Sequence, residues 1–217
     1  MSRKVIPLTP EAFATVPAAR RACVTWELDP VRRRQADPGR AIGLKQDWLQ
    51  DVEHQWGCCG QLLQVGGATA GFALYAPPAY VPGADAFPTA PVSADAVVLT
   101  HLWVEPAHRG GGLGRMLVQG MARDLVRRGG VAAVEAFGAA GSPLAAFGRR
   151  EACLLPVEFL GGVGFTMHRP HPSVPRLRMD LEQTISWRDG VEGAWERLVR
   201  VVRPRRAPSA PLARARD

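Results

Sequence analysis

Lysine is almost missing from this sequence. Only Lys4 and Lys45 occur, so the basic charge is nearly all arginine. Tyrosine is as scarce, with only Tyr75 and Tyr80, which leaves few phenols for acid–base work. No run of roughly eighteen apolar residues occurs, which excludes a transmembrane helix. The basic start Met1-Ser2-Arg3-Lys4 is followed by no long apolar stretch and does not read as a secretory signal. A cytoplasmic location with no membrane partner is the expectation. The four cysteines, Cys23, Cys58, Cys59 and Cys153, have neither C-x-x-C nor zinc-ribbon spacing. Reduced, buried thiols and no metal are therefore expected.

What is present points to a globular chain. Of 217 residues, 47% are hydrophobic and 22% charged, enough for one sizeable core. The net charge is +7, but residues 197–217 hold seven arginines against one aspartate, so the rest is close to neutral. The reading is a domain over residues 1–185, a C-terminal helix over 186–202 and a basic, disordered tail over 203–217. Such a tail suits an anionic partner and says little about an active-site field.

Residues 5–8 read as a first strand, with Thr9-Pro10-Glu11 opening a helix. A short apolar run covers 23–28, and the polar, basic stretch 31–40 reads as a loop. Leu44, Trp48, Leu49, Val52 and Trp56 recur at helical spacing, giving an amphipathic helix stopped by Gly57. Two apolar runs flank Gly66-Gly67-Ala68, a hairpin signal. Five prolines between 77 and 91 exclude a helix or central strand and leave a long ordered loop. A strand over Ala96–Val104, a glycine-rich turn, a helix over Leu113–Arg128 and a strand over 131–137 then describe a crossover unit with parallel strands. A short helix over 156–161, two closing strands and a helix over 190–202 complete the reading.

The informative stretch runs Val104-Glu105-Pro106-Ala107-His108-Arg109-Gly110-Gly111-Gly112-Leu113-Gly114-Arg115. A strand feeds a glycine turn that opens directly into a helix. The first helical amides have no intrahelical partner, and the helix dipole adds partial positive charge there. Glycine lets the backbone approach an anion closely. A P-loop needs Gly-Lys-Ser/Thr, and this turn ends Gly114-Arg115-Met116. A dinucleotide fingerprint needs glycine at position 115, which is Arg115.

Arg109-Gly110-Gly111-Gly112-Leu113-Gly114 fits R/Q-x-x-G-x-G/A, preceded by Val104-x-Pro106, and this resembles the signature of the GNAT N-acetyltransferase superfamily. The likeness in element order spans about residues 5–181, and Val163-Gly164-Phe165 is similar to a common ending of the family. The resemblance implies an α/β fold: a mixed, mostly antiparallel central sheet with a splayed parallel pair, flanked by helices. It implies acetyl-CoA as cosubstrate and transfer to a primary amine of a small molecule or protein. The backbone of Leu102, Trp103 and Val104 would follow the pantetheine arm, one amide polarising the thioester carbonyl. The amides of Arg109, Gly110, Gly111, Gly112, Leu113 and Gly114 would hold the pyrophosphate, with Arg115 near the phosphates. Monomer or homodimer fits equally.

Amine acetylation needs a neutral amine, and the leaving thiolate then takes up a proton. Glu135, mid-strand in apolar surroundings, is the leading base by position, against a solvent-facing strand glutamate. His101 is a candidate relay, against a packing or surface histidine. The family's usual acid, a tyrosine four residues before the Gly-Phe glycine, is replaced by Leu160. Tyr80 swinging in from the proline loop, water, or Cys153 would have to serve instead. The alternative is a catalytically weak acyl-CoA-binding regulatory module. Trp26, Trp48, Trp56 and the 77–91 loop either line the acceptor pocket or belong to the core.

Overall fold

A computed structural model describes residues 2–141 and 154–182. Contacts divide the chain into Met1–Leu181 and Glu182–Asp217. The expected 190–202 helix, the basic tail and Cys153 lie outside the described residues.

The first unit is an eight-stranded mixed sheet. Its strands are β1 (Arg3–Pro7), β2 (Gly60–Val65), β3 (Ala68–Ala76), β4 (Ala96–Val104), β5 (Ala133–Ala139), β6 (Leu155–Pro156), β7 (Thr166–Arg169) and β8 (Arg176–Asp180). Their spatial order is β1-β2-β3-β4-β5-β8-β7, with β6 beside β5. The β4–β5 pair is parallel and bridged by the helix α5 (Leu113–Arg128); β1 to β4 pair antiparallel, as do β5, β8 and β7. The expected α/β sheet with its parallel pair is therefore present.

The sheet is covered on both faces, which is why β4 shows no polar alternation and is almost wholly buried. On one face α5 lays Leu117, Met121 and Leu125 against Leu63, Tyr75 and Leu99. On the other, α4 (Ala41–Gln55) contributes Leu49 and Val52 to a core with Trp26, Phe72, Leu74 and Phe137. Truncating a core leucine such as Leu117 to alanine would cost about 2–5 kcal/mol through lost burial and the cavity left behind. Thr9 caps α1 (Pro10–Phe13), its hydroxyl accepting from the Ala12 amide. The Gly66-Gly67 turn joins β2 to β3, both glycines at positive φ.

Two expectations change. Residues 31–40 are not a plain loop: Pro30–Gln35 forms α3, and Pro38–Arg40 a 3-10 turn. The reason is capping, since Asp29 accepts from the Val31 and Arg32 amides and Asp37 from that of Gly39. The proline loop is ordered as expected, with two 3-10 turns at Pro78–Tyr80 and Pro82–Ala86, and its Phe87 packs on Trp26 and Phe137. Cys58 and Cys59 are free, but Cys23 is disulfide-bonded, which depends on proximity in the fold and not on sequence spacing.

Candidate active site

The strands β4 and β5 pair only from Ala96↔Ala133 to Val98↔Glu135. Beyond that point β5 takes β6 as a neighbour at Gly138 and Ala139. The parting leaves Leu102, Trp103 and Val104 at a cleft of about 590 Å³, the size of a cofactor pocket. Of the ten residues expected at the cofactor, all but Gly111 line it. Sequence reasoning missed the opposite wall, Leu155, Pro156, Phe159, Gly162 and Val163, and also Arg20 and His108. Phe159 carried a signal, being one residue from Leu160 on α6 (Val157–Gly162). Arg20, on α2 (Ala18–Arg21) and 5.9 Å from the Trp103 ring centroid, carried none.

The turn has a geometry that would suit an anion. Gly112 caps α5 in the left-handed conformation, φ +76°, and a Cβ there would meet no protein atom, only the open cleft. Gly114 is required for closeness: a Cβ would stand 2.9 Å from the Phe159 ring. The backbone amides of residues 110–115 have no hydrogen-bond acceptor among the described residues. Among the described residues no aspartate or glutamate lines the cleft, while Arg20, Arg109 and Arg115 do. Arg109 Nε donates to the Val104 carbonyl at 3.0 Å, tying the turn to the strand end. Arg115 Nη2 donates to the Gly162 carbonyl at 2.5 Å, tying the helix start to α6. Unpaired amides, the helix dipole and basic side chains together fit a pyrophosphate.

The three proton-transfer candidates stand elsewhere, and none lines the cleft. Glu135 lies at the paired end of the splay, opposite Val98, about 13 Å along the strand from the level of Leu102. Its surroundings are ionic, not apolar. The fully buried carboxylate lies 3.2 Å from Arg176, 3.4 Å from Arg178 and 3.7 Å from His168, and accepts from the Ser93 amide. A carboxylate so engaged is a structural counter-ion. Tyr80 donates to Gln55 Oε1 at 3.3 Å, and its carbonyl accepts from Trp48 Nε1 at 2.7 Å, so it is held against α4.

His101 points to the α4 face. It stacks on Phe72 and lies 3.4–3.5 Å from Lys45 Nζ, which is itself hydrogen-bonded to Glu27. Burial first, then the Lys45 charge, push the His101 pKa well below 6.5. Burial also lowers that of Lys45, with Glu27 opposing. Leu160 is buried in the core and does not face the cleft; on its helix Phe159 does. Trp26, Trp48 and Trp56 belong to the core and its cover, while Trp103 is the tryptophan at the cleft.

The sequence model of the acetyltransferase (GNAT) family matches residues 21–143, more than half of the chain. No curated protein sequence matches the chain. Solved structures of similar fold include the PaiA N-acetyltransferase of Thermoplasma acidophilum in complex with coenzyme A. It is 13% identical with a TM-score of 0.52, over 83% of this chain and 99% of that one. An N-acetyltransferase of Staphylococcus aureus Mu50 is 12% identical, TM-score 0.54, over 83% and 99%. The YncA putative acetyltransferase of Salmonella typhimurium, with acetyl-CoA, is 15% identical, TM-score 0.50, over 83% and 95%.

Proposed function

The chain belongs to the acetyltransferase (GNAT) family, and from that premise we propose that it transfers the acetyl group of acetyl-CoA to a primary amine in the β4–β5 cleft. The observation that carries this reading is the row of backbone amides at residues 110–115, without acceptors among the described residues and with all but Gly111 lining the cleft beside the strand end Leu102–Val104. Acetyl-CoA supplies an activated thioester. The chain's own part is to bind and orient. The amide row and the α5 dipole receive the pyrophosphate. The backbone at Leu102–Val104 runs beside the pantetheine arm and offers an amide to the thioester oxygen. Phe159 and Trp103 give the cleft apolar walls that keep water from the reacting carbon.

Among the described residues no carboxylate lines the cleft, and in this reading the acceptor amine loses its proton to solvent and attacks once neutral. The pH–rate profile then follows the acceptor's own amine. A second reading, an acyl-CoA-binding module with weak catalysis, is favoured by one observation: α6 turns Phe159 to the cleft and buries Leu160, so it offers no proton donor. A thiol-release assay with acetyl-CoA across a panel of amines decides between them. Sustained amine-dependent release supports the transferase; saturable acetyl-CoA binding without release on any amine supports the module.

A further inference from the structure

A second cavity, of about 430 Å³, lies between the segment 88–93 and the β7–β8 hairpin, and among the described residues shares none with the cleft. Its charged lining among the described residues is Arg169 and Arg176, joined by the imidazole of His171, with no aspartate or glutamate among them. Arg169 and Arg176 are direct cross-strand partners, placed so by a register shift at His168. Side chains at such positions share a face with Cβ atoms about 5 Å apart, where like charges repel. Nothing among the described residues relieves this for Arg169, which has no ion pair there.

Arg176 is held rigidly. Its side chain is almost fully buried, Nη1 donates to the Pro91 carbonyl, and Nε lies 3.2 Å from Glu135 Oε2 without hydrogen-bond geometry. Burial lowers its pKa, Glu135 opposes this, and the Arg169 charge adds to the lowering. His171 Nδ1 accepts from the Ser173 and Val174 amides at 3.2 and 3.0 Å, so the ring proton sits on Nε2 as a further donor.

We propose that this cavity binds a small oxyanion, a carboxylate or phosphate group, held between the guanidinium groups of Arg169 and Arg176. An oxyanion there converts a repulsive pair into two charge-assisted contacts, which planar guanidinium groups suit. The site is independent of the acetyl-transfer reading.

The test titrates inorganic phosphate and malonate separately into the full chain by calorimetry, at constant ionic strength balanced with chloride. Coenzyme A is present in excess to occupy the other anion site. The same titrations are made on Arg169→Ala and Arg169→Lys. Arg169 is exposed, so both variants are expected to keep the wild-type melting temperature. Saturable binding of at least one anion is expected, weakened at least about tenfold in Arg169→Ala and less in Arg169→Lys. The tighter of the two anions assigns the ligand class. Neither anion binding above chloride, or equal affinity in Arg169→Ala, overturns the proposal.

Discussion

The cleft and the two buried ionic clusters are made of different material. One wall of the cleft is local in sequence: a strand end, a glycine turn and the start of α5, all within residues 102–115. The clusters are side chains drawn from distant parts of the chain. One joins Glu27, Lys45 and His101; the other joins Glu135 to Arg176 and Arg178. A backbone site forms wherever its local conformation forms. A cluster of buried charges exists only once the whole sheet has closed, and each member then depends on its partners. Stability changes should therefore concentrate in the clusters, and binding changes in the turn.

The sharpest contrast comes from Glu135→Gln. It leaves the buried Arg176 guanidinium without its counter-charge, while Arg178 keeps Asp95 and Asp180, and the expected loss is about 3–5 kcal/mol. Urea unfolding measures this, and acetyl-CoA affinity in the surviving folded protein should be unchanged. Wild-type stability with reduced turnover would return Glu135 to a catalytic role and break the comparison.

Lys45→Met is expected to cost somewhat less, about 3 kcal/mol, by stranding Glu27 in the core. Its Oε2 already has no partner. The double variant Glu27→Gln with Lys45→Met should recover most of the loss, because the uncompensated charge is gone. Unfolding of Lys45→Met, Glu27→Gln and the double variant gives the coupling directly; additive losses would mean that the pair is not one unit.

The smallest effect is a slope. His101 has its pKa depressed in the fold, so the unfolded chain binds a proton that the native state refuses. Its contribution is present above about pH 6.5 and is lost as the pH falls below it, by at most about 1.4 kcal/mol per pH unit. Glu27, Lys45 and Thr100 are the groups that face it. Unfolding free energies between about pH 5 and 7 should show a shallower acid limb in His101→Gln than in wild type. Parallel limbs would contradict the assignment.

The same division explains what could be read in advance. β4 and α5 have the bounds that their apolar patterns gave, Ala96–Val104 and Leu113–Arg128. The turn between them was legible because a glycine signature is written in consecutive residues. The far wall of the cleft was not, since Leu155 and Phe159 reach it only through the pairing of β6 with β5. Glu135 looked apolar because Ala133, Val134, Ala136 and Phe137 surround it in sequence. Its real neighbours, Arg176 and Arg178, come from the next strand of the sheet, some forty residues on.

The central claim is that the turn at residues 109–114 holds the pyrophosphate of acetyl-CoA. It is tested most directly by calorimetric titration of acetyl-CoA into the wild type and Gly112→Val. A side chain at φ +76° is strained, and its Cβ would enter the open cleft where the proposed site puts the phosphates. Saturable binding to the wild type, weakened at least about tenfold in a variant that still folds, is the predicted result. Equal affinity in a folded Gly112→Val would contradict the claim.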